Sequence, residues 1–203
     1  PGTWTLRVTS EGFAPWERKG IEAGPGTVLE PIAVLLDRGT TVRGVVRGLP
    51  EGCPFELEFR REGECPRAPV GKDCSYRATG LRPGTYQVLL SGGPFLPSTD
   101  PAQLVVGEGE REVNFDVEAL LAGTLEVRLR SARGSIGEDL RLEIRDKAGR
   151  VVRTVNGRTS GLLYFTLLPG EFLVRAGVSG ADAREERVSV QAGASSKVEI
   201  DLP

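Results

Sequence analysis

The fold is decided by the stretch Pro83-Gly84-Thr85-Tyr86-Gln87-Val88-Leu89-Leu90, because variants of it occur at two other places in the chain. The other copies are Pro1-Gly2-Thr3-Trp4-Thr5-Leu6-Arg7-Val8 and Pro169-Gly170-Glu171-Phe172-Leu173-Val174-Arg175-Ala176. Their glycines are 82 and then 86 residues apart, and such a period predicts tandem copies of one small domain. Trp4, Tyr86 and Phe172 occupy equivalent positions in these copies and are predicted to be core residues.

Short segments with alternating apolar and polar residues surround the three copies. Examples are residues 55–60, 124–130 and 140–145. A period of two indicates half-buried antiparallel strands, with one face on a core and one in water. Turn signals such as Asn156-Gly157 separate these segments. About seven short strands in each repeat predict an all-β protein built from tandem immunoglobulin-like antiparallel β-sandwiches.

The repeat predicts three segments. Residues 1–39 correspond to the C-terminal half of a β-sandwich module, residues 40–120 to a complete module with three cysteines, and residues 121–203 to a second complete module. Either a segment before Pro1 supplies the missing half, or another chain completes it by adding strands. Both alternatives remain open at this point.

The amino-acid composition argues against several classes of function. The chain has no histidine, the commonest general base and metal ligand, so Ser-His-Asp and Cys-His catalysis cannot operate within it. Its net charge of −2, with both signs interspersed, gives no electrostatic footprint for nucleic acid. No stretch approaches the roughly 20 apolar residues that span a bilayer. We therefore expect no enzymatic activity, no cofactor and no metal.

Three cysteines lie in the middle segment: Cys53, Cys65 and Cys74. An odd count allows one disulfide and one free thiol. We favour the pair Cys65–Cys74, which brackets a short loop; Cys53–Cys74, Cys53–Cys65 and three reduced thiols are the alternatives. A disulfide would imply an oxidising compartment, and we expect an extracellular, periplasmic or cell-surface location.

Two motifs resemble a known family. They are Val42-Arg43-Gly44-Val45-Val46, and Tyr76 followed by Gly80-Leu81-Arg82-Pro83-Gly84-Thr85-Tyr86. This order resembles the carboxypeptidase regulatory-like domain, a transthyretin-like (prealbumin-type) seven-stranded sandwich, and Cna-B-type surface modules are similar in architecture. The last segment lacks the Val-x-Gly-x-Val element. The resemblance implies prealbumin-like modules that serve as accessory parts of secreted or surface bacterial proteins.

Two loops carry the candidate partner-binding residues. Phe13 and Trp16 lie in one loop, and Phe95 and Leu96 lie in its counterpart in the middle segment. Exposed aromatic residues are typical of binding hot spots, whereas burial would make these residues plugs of the sandwich ends. The acidic pair Glu56 and Glu58 is interpreted as solvated surface.

These observations together predict a non-catalytic structural or adhesive spacer region of a secreted or cell-envelope bacterial protein. The alternative is a carbohydrate- or protein-binding accessory module that is attached to an enzyme or receptor elsewhere in the gene. The expected partners are an unknown protein or glycan of the cell envelope and the neighbouring modules of the same chain.

Overall fold

The computed structural model describes residues 1–52, 54–131, 139–178 and 182–202. Within those ranges the chain forms strands and no helix, so the predicted all-β fold is confirmed. The chain divides into two compact units, one of Pro1–Gly92 with Pro101–Ala119 and one of Gly93–Asp100 with Leu120–Pro203. The predicted segment boundaries after residues 39 and 120 stay a prediction.

The strands coincide with the alternating segments of the sequence, because every second side chain of a strand points to the same face. In chain order they are β1 (Gly2–Val8), β2 (Trp16–Ala23), β3 (Thr40–Arg47), β4 (Glu56–Arg60), β5 (Arg67–Pro69), β6 (Ser75–Leu81), β7 (Gly84–Ser91), β8 (Phe95–Pro97), β9 (Ala102–Val106), β10 (Glu112–Asn114), β11 (Val117–Leu121), β12 (Gly123–Ser131), β13 (Leu140–Asp146), β14 (Val151–Asn156), β15 (Leu162–Leu167), β16 (Gly170–Val178), β17 (Arg184–Val190) and β18 (Ser195–Leu202).

The first unit contains a β-sandwich. One sheet has the antiparallel order β5-β4-β7-β9, and in the other β3 pairs antiparallel with β6 and parallel with β10 and β11. The Phe59 ring of the first sheet meets the Tyr76 ring of the second, with ring centroids 6.1 Å apart. Phe59, Tyr86 and Val88 have no exposed surface. Burial of these side chains supplies the main stabilising free energy of the unit.

Gly44, in the Val-x-Gly-x-Val motif, allows two short strands to share one neighbour. β10 and β11 both pair with β3, and Phe115 and Asp116 lie between them. A Cβ on Gly44 would lie 2.1 Å from the Phe115 carbonyl oxygen. The Tyr76 hydroxyl donates to that carbonyl, and the Asp116 carboxylate accepts the Val45 N–H at 3.0 Å. The glycine therefore makes room for an interruption whose polar groups are satisfied by side chains.

The second unit contains the other sandwich. Its sheets have the orders β15-β12-β18 and β14-β13-β16-β17. β12 and β18 pair in parallel over eight register positions, from Thr124–Ser195 to Ser131–Leu202, without a break. The buried core residues that the structure describes in this unit come from both sheets, and they include Leu125, Ile144 and Val174 with no exposed surface.

The first 39 residues form a two-stranded ribbon, β1 with β2, followed by a segment without strands. The backbone of Phe13 forms an isolated bridge with that of Arg38, and the Ala14 N–H donates to the Asp37 carbonyl at 2.9 Å. These contacts close the loop between the two strands onto the end of the segment, and Ala14 is buried there.

Candidate binding surface

The β1–β2 ribbon carries exposed apolar side chains. Trp4 is 61% exposed and Leu6 is 38% exposed, whereas Tyr86 and Phe172, which hold the same repeat position as Trp4, are 0% and 8% exposed. The prediction that Trp4 is a core residue is therefore wrong. Among the described residues β1 pairs only with β2, whereas β7 and β16 each pair on both sides. Within the described residues, the sheet that contains Trp4 therefore consists of the two strands β1 and β2.

Residues 24–39 also carry exposed apolar side chains. They form no strand apart from the bridge at Arg38, and Val28 and Leu35 are 94% and 86% exposed. In the second unit the last strand, β18, pairs with β12, the strand that opens the unit's sheet. Residues 1–39 themselves contain no strand equivalent to β12.

The loop residues Phe13 and Trp16 are both half-buried. The Phe13 N–H donates to the Ser10 carbonyl at 3.1 Å, and a Cβ on Gly80 would lie 2.5 Å from the Phe13 carbonyl oxygen. Trp16 begins β2 opposite Val8. The loop backbone is therefore held in place while both residues stay partly exposed, and a binding role for them stays a prediction.

Phe95 and Leu96 form most of β8 and are also half-buried. The Pro94 carbonyl beside them accepts the Ala122 N–H at 2.8 Å, and the following Pro97 is buried. The structure places these residues in the second unit, while Phe13 and Trp16 lie in the first. Their binding role likewise stays a prediction.

The interpretation of Glu58 as solvated surface is wrong, because the residue is only 7% exposed. The Arg60 guanidinium donates to its carboxylate at 2.7 Å, and Arg67 lies 2.9 Å from its other oxygen. The hydrogen bond from Arg60 lowers the pKa of Glu58, against a smaller opposing effect of burial. Period-two alternation places Glu58 on the outer face correctly, but long arginine side chains cover that face.

The second unit repeats this arrangement at Glu143, which is 6% exposed. Arg145 and Arg141 both lie 2.6 Å from its carboxylate oxygens, and their hydrogen bonds lower its pKa. The sequence signal is shared by the two sites: Leu57-Glu58-Phe59-Arg60 matches Leu142-Glu143-Ile144-Arg145. Sequence analysis did not single out Glu143. An ionised carboxylate held by two arginines stabilises a sheet and is a poor proton donor at neutral pH.

In the described ranges, every fully buried side-chain nitrogen or oxygen has a hydrogen-bond partner. No group of three or more His, Cys, Asp and Glu in the described ranges is arranged to hold a metal ion. We find no helix among the described residues with the length and hydropathy needed to cross a membrane.

The predicted Cys65–Cys74 disulfide is not confirmed, because both thiols are free. The strand β5 (Arg67–Pro69) lies between the two cysteines. Pro66, next to Cys65, accepts a backbone hydrogen bond from Phe59 before this strand, and the Cys74 N–H donates to the Gly71 carbonyl beyond its end. An extended chain rises about 3.3 Å per residue, whereas a disulfide needs Cα atoms within about 7 Å. Cys53, which belongs to the alternative pairings, lies outside the described residues.

Comparison with known proteins gives solved structures only. No protein-family model matches the chain, and no curated protein matches it. A streptococcal ancillary pilin is similar over 99% of this chain and 76% of its own, with 12% identity and a TM-score of 0.31. The minor pilin of Streptococcus agalactiae is similar over 80% and 94%, with 12% identity and a TM-score of 0.34.

A third similar structure is described as a cell adhesion protein of Bacteroides ovatus. The similarity covers 81% of this chain and 92% of the Bacteroides ovatus chain, with 8% identity and a TM-score of 0.29. The carboxypeptidase regulatory-like type is not confirmed by these comparisons. At such TM-scores the similarities carry no argument about function, so the proposals below rest on the chain's own geometry.

Proposed function

We propose that this chain is a non-catalytic, load-bearing spacer region of a secreted or cell-envelope bacterial protein. The observation that carries the proposal is the pairing of β12 with β18, the strands that open and close the sandwich of the second unit. They lie side by side and parallel over eight positions. A pulling force that enters at the start of β12 and leaves at the end of β18 acts along both strands in opposite directions.

This geometry loads all the hydrogen bonds of the β12–β18 ladder together. A parallel ladder has evenly spaced bonds, so no single bond must break first when the strands are sheared. The first unit has a shorter, interrupted counterpart, since β3 pairs in parallel with β10 and β11 on either side of Phe115 and Asp116. Resistance to force applied through the chain ends is the property that a spacer needs.

The buried glutamates support a mechanical role over a catalytic one. Glu58 and Glu143 each join a strand to neighbouring arginines and leave no free acid for proton transfer. The pair Glu58–Arg67 joins the neighbouring strands β4 and β5, whereas Arg141 and Arg145 lie on the same strand as Glu143. The location outside the cytoplasm and the bacterial source are part of the proposal.

Single-molecule force spectroscopy tests the proposal on the whole chain. Handles at the exposed residues Thr124 and Asp201 load the β12–β18 ladder in shear, whereas handles at Thr124 and Ser195 open the same ladder from one end, because Thr124 and Ser195 are register partners. We expect a clearly higher rupture force in the shear geometry, since forced unfolding follows the unfolding rate along the loaded path. Equal rupture forces in the two geometries would contradict a load-bearing role.

The second candidate function is an accessory module that binds carbohydrate or protein. The partial accessibility of Phe13 and Trp16 favours it, because partly exposed aromatic rings can stack on a sugar or anchor a partner. Glycan-array and envelope-binding measurements would compare the wild type with the variant Phe13→Ala/Trp16→Ala, and with Phe95→Ala/Leu96→Ala as a second pair. A ligand lost with either pair, in a variant that keeps its melting temperature, would favour this candidate.

A further inference from the structure

The strand β15 forms an edge of a sheet in the second unit. Among the described residues it pairs only with β12. The Leu129 N–H donates to the Gly161 carbonyl at 2.7 Å, and the β12–β15 register continues from there without a shift. Hydrogen-bonded and non-hydrogen-bonded pairs alternate along antiparallel strands. The backbone N–H and C=O groups of Leu162 and Tyr164 therefore point away from β12.

Arg153, on β14, covers one end of this edge. Its guanidinium donates to the Thr166 carbonyl at 3.4 Å and forms an ion pair with Asp100 at 2.5 Å. The side chain of Asp100 is only 10% exposed, so the arginine is firmly held. Thr166 is the next residue after Tyr164 whose backbone points away from β12. The stretch of edge that can accept another strand is therefore centred on Leu162 and Tyr164.

The sequence of β15 lacks the features that normally protect an edge, which are charged residues, proline and bulges. β14 carries Arg153 and a register shift next to β13, whereas β17 and β18 carry four and three charged residues. β15 reads Leu-Leu-Tyr-Phe-Thr-Leu and has a regular register. Tyr164 is 62% exposed, and Leu162 and Leu163 are half-buried. Apolar side chains are thus accessible on both faces of this edge.

We propose that β15 pairs with β15 of a second copy of this chain, antiparallel about a two-fold axis through Leu163. Leu162 of each copy then faces Tyr164 of the other, and each of these two pairs exchanges two backbone hydrogen bonds. The two sheets of order β15-β12-β18 become one continuous sheet. Such side-by-side association of chains goes beyond the proposed spacer role.

The available backbone groups select this register. An axis through Leu163 uses the N–H and C=O groups of Leu162 and Tyr164, which point away from β12. An axis through Tyr164 would instead need the Thr166 carbonyl, which already accepts a hydrogen bond from Arg153. At the axis, Leu163 meets its own copy in a non-hydrogen-bonded pair, where side chains approach most closely.

The side chains favour a second copy as the occupant, because the surface is complementary to itself. In the proposed register the Tyr164 ring packs on Leu162 of the second copy, and aromatic–aliphatic pairs across strands are stabilising. On β12, Arg128 lies beside Leu162 and Glu126 lies beside Tyr164. Arg128 of one copy therefore shares a row of the joined sheet with Glu126 of the other, and no like charges face each other across the axis.

Sedimentation velocity on the whole chain, from micromolar to millimolar concentration, tests the proposal. We expect a monomer–dimer equilibrium that stops at the dimer, because a two-fold contact uses the edge of both copies. Amide hydrogen exchange followed by NMR adds a structural readout. The amides of Leu162 and Tyr164 should become protected as the concentration rises, whereas the amide of Leu163, which points toward β12, should keep its protection.

Charged variants test the register. Tyr164→Lys and Leu162→Glu should each raise the dimer dissociation constant by about tenfold or more. The double variant Leu162→Glu/Tyr164→Lys should recover dimerisation, because each new carboxylate then faces a new ammonium group of the other copy. Val105→Lys is the matched control, since Val105 is 66% exposed on β9, an uncharged edge strand of the first unit, and should leave dimerisation unchanged. Thermal melting shows that each variant remains folded.

Four results would overturn the proposal. A chain that stays monomeric to millimolar concentration has no such contact, and association that continues beyond a dimer is not two-fold pairing of this edge. Unchanged dimerisation in Tyr164→Lys, or its loss in Val105→Lys, would place the contact elsewhere. A double variant as weak as the single variants would contradict the pairing of Leu162 with Tyr164.

Discussion

The hydroxyl of Tyr86 accepts a hydrogen bond from the Arg82 N–H at 2.9 Å and donates one to the Arg82 carbonyl at 3.0 Å. The tyrosine ring has no exposed surface, and the Arg61 guanidinium lies 5.8 Å from the ring centroid. The hydroxyl thus fixes the Pro-Gly turn that precedes β7 to the core of the first unit.

Tyr86→Phe should therefore destabilise the first unit. The substitution removes both hydrogen bonds and leaves the polar backbone groups of Arg82 without these partners, which costs about 1–3 kcal/mol. Urea denaturation would measure the loss. Tyr164→Phe is the matched control, because Tyr164 is largely exposed and should tolerate the change. Equal stability of the wild type and Tyr86→Phe would mean that water replaces the hydroxyl.

Gly44→Ala should also destabilise the first unit, for a steric reason. Its Cβ would lie 2.1 Å from the Phe115 carbonyl oxygen, and a backbone atom cannot move aside as a flexible side chain can. We expect a loss of about 1–3 kcal/mol or more, measured by thermal and urea denaturation. Gly170→Ala is the control, since its Cβ would lie 3.8 Å from a Phe172 side-chain atom, which is ordinary van der Waals contact. Similar losses in both variants would show that the effect is not steric.

Local patterns predicted most of the strands but not what covers them. The alternation in residues 55–60 placed Leu57 and Phe59 in the core, and both are fully buried. It also placed Glu58 outward, yet could not show that Arg67, from a neighbouring strand, covers the carboxylate. Such covering depends on contacts between distant segments, which a local period does not report.

Dependence on distant segments also explains why the prediction of Trp4 as a core residue is wrong. Repeat position predicts the backbone pairing of β1 with β2, and the structure shows that pairing. Burial additionally requires neighbouring strands and an opposing sheet, which Tyr86 has and Trp4 lacks within the described residues. The Val-x-Gly-x-Val motif likewise marked a strand, but the need for glycine became clear only from the Phe115 carbonyl beside it.

Alanine substitutions of Trp4 and Phe172, which share one repeat position, should affect the free energy of unfolding differently. Phe172→Ala removes a side chain that is 8% exposed and should cost about 3–5 kcal/mol. Trp4→Ala removes a larger side chain that is 61% exposed and should change the free energy of unfolding by about 0.5 kcal/mol or less. Urea denaturation of both variants measures the difference. A large loss in Trp4→Ala would show that the ribbon contributes to a core after all.

Glu58 and Glu143, which are both ion-paired to arginines, should make the free energy of unfolding depend on pH in the acid range. The pKa values of Glu58 and Glu143 are lowered in the folded state from a usual value of 4.5, so the unfolded chain takes up protons at a higher pH than the folded one. Their stabilisation is complete above pH 4.5 and is lost as the pH falls through the folded-state pKa values.

The variant Glu58→Gln/Glu143→Gln removes both titrating groups. Its denaturation midpoint should fall less steeply with decreasing pH below about 4.5 than that of the wild type. The slope of the pH profile is the decisive readout, because glutamine also changes stability at neutral pH. Parallel profiles for the two proteins would show that other carboxylates dominate the acid transition.

Cys65 carries a free thiol in the folded protein. Cys65 is exposed, and its Sγ lies 3.9 Å from a carboxylate oxygen of Glu58. Iodoacetamide should therefore alkylate Cys65 in the folded protein, as peptide mapping by mass spectrometry would show. Cys65→Ser should leave the melting temperature unchanged with and without a reducing agent, because no cross-link to Cys74 is lost. Protection of Cys65 from alkylation, together with a lower melting temperature after reduction, would instead restore the disulfide, which typically contributes about 2–4 kcal/mol.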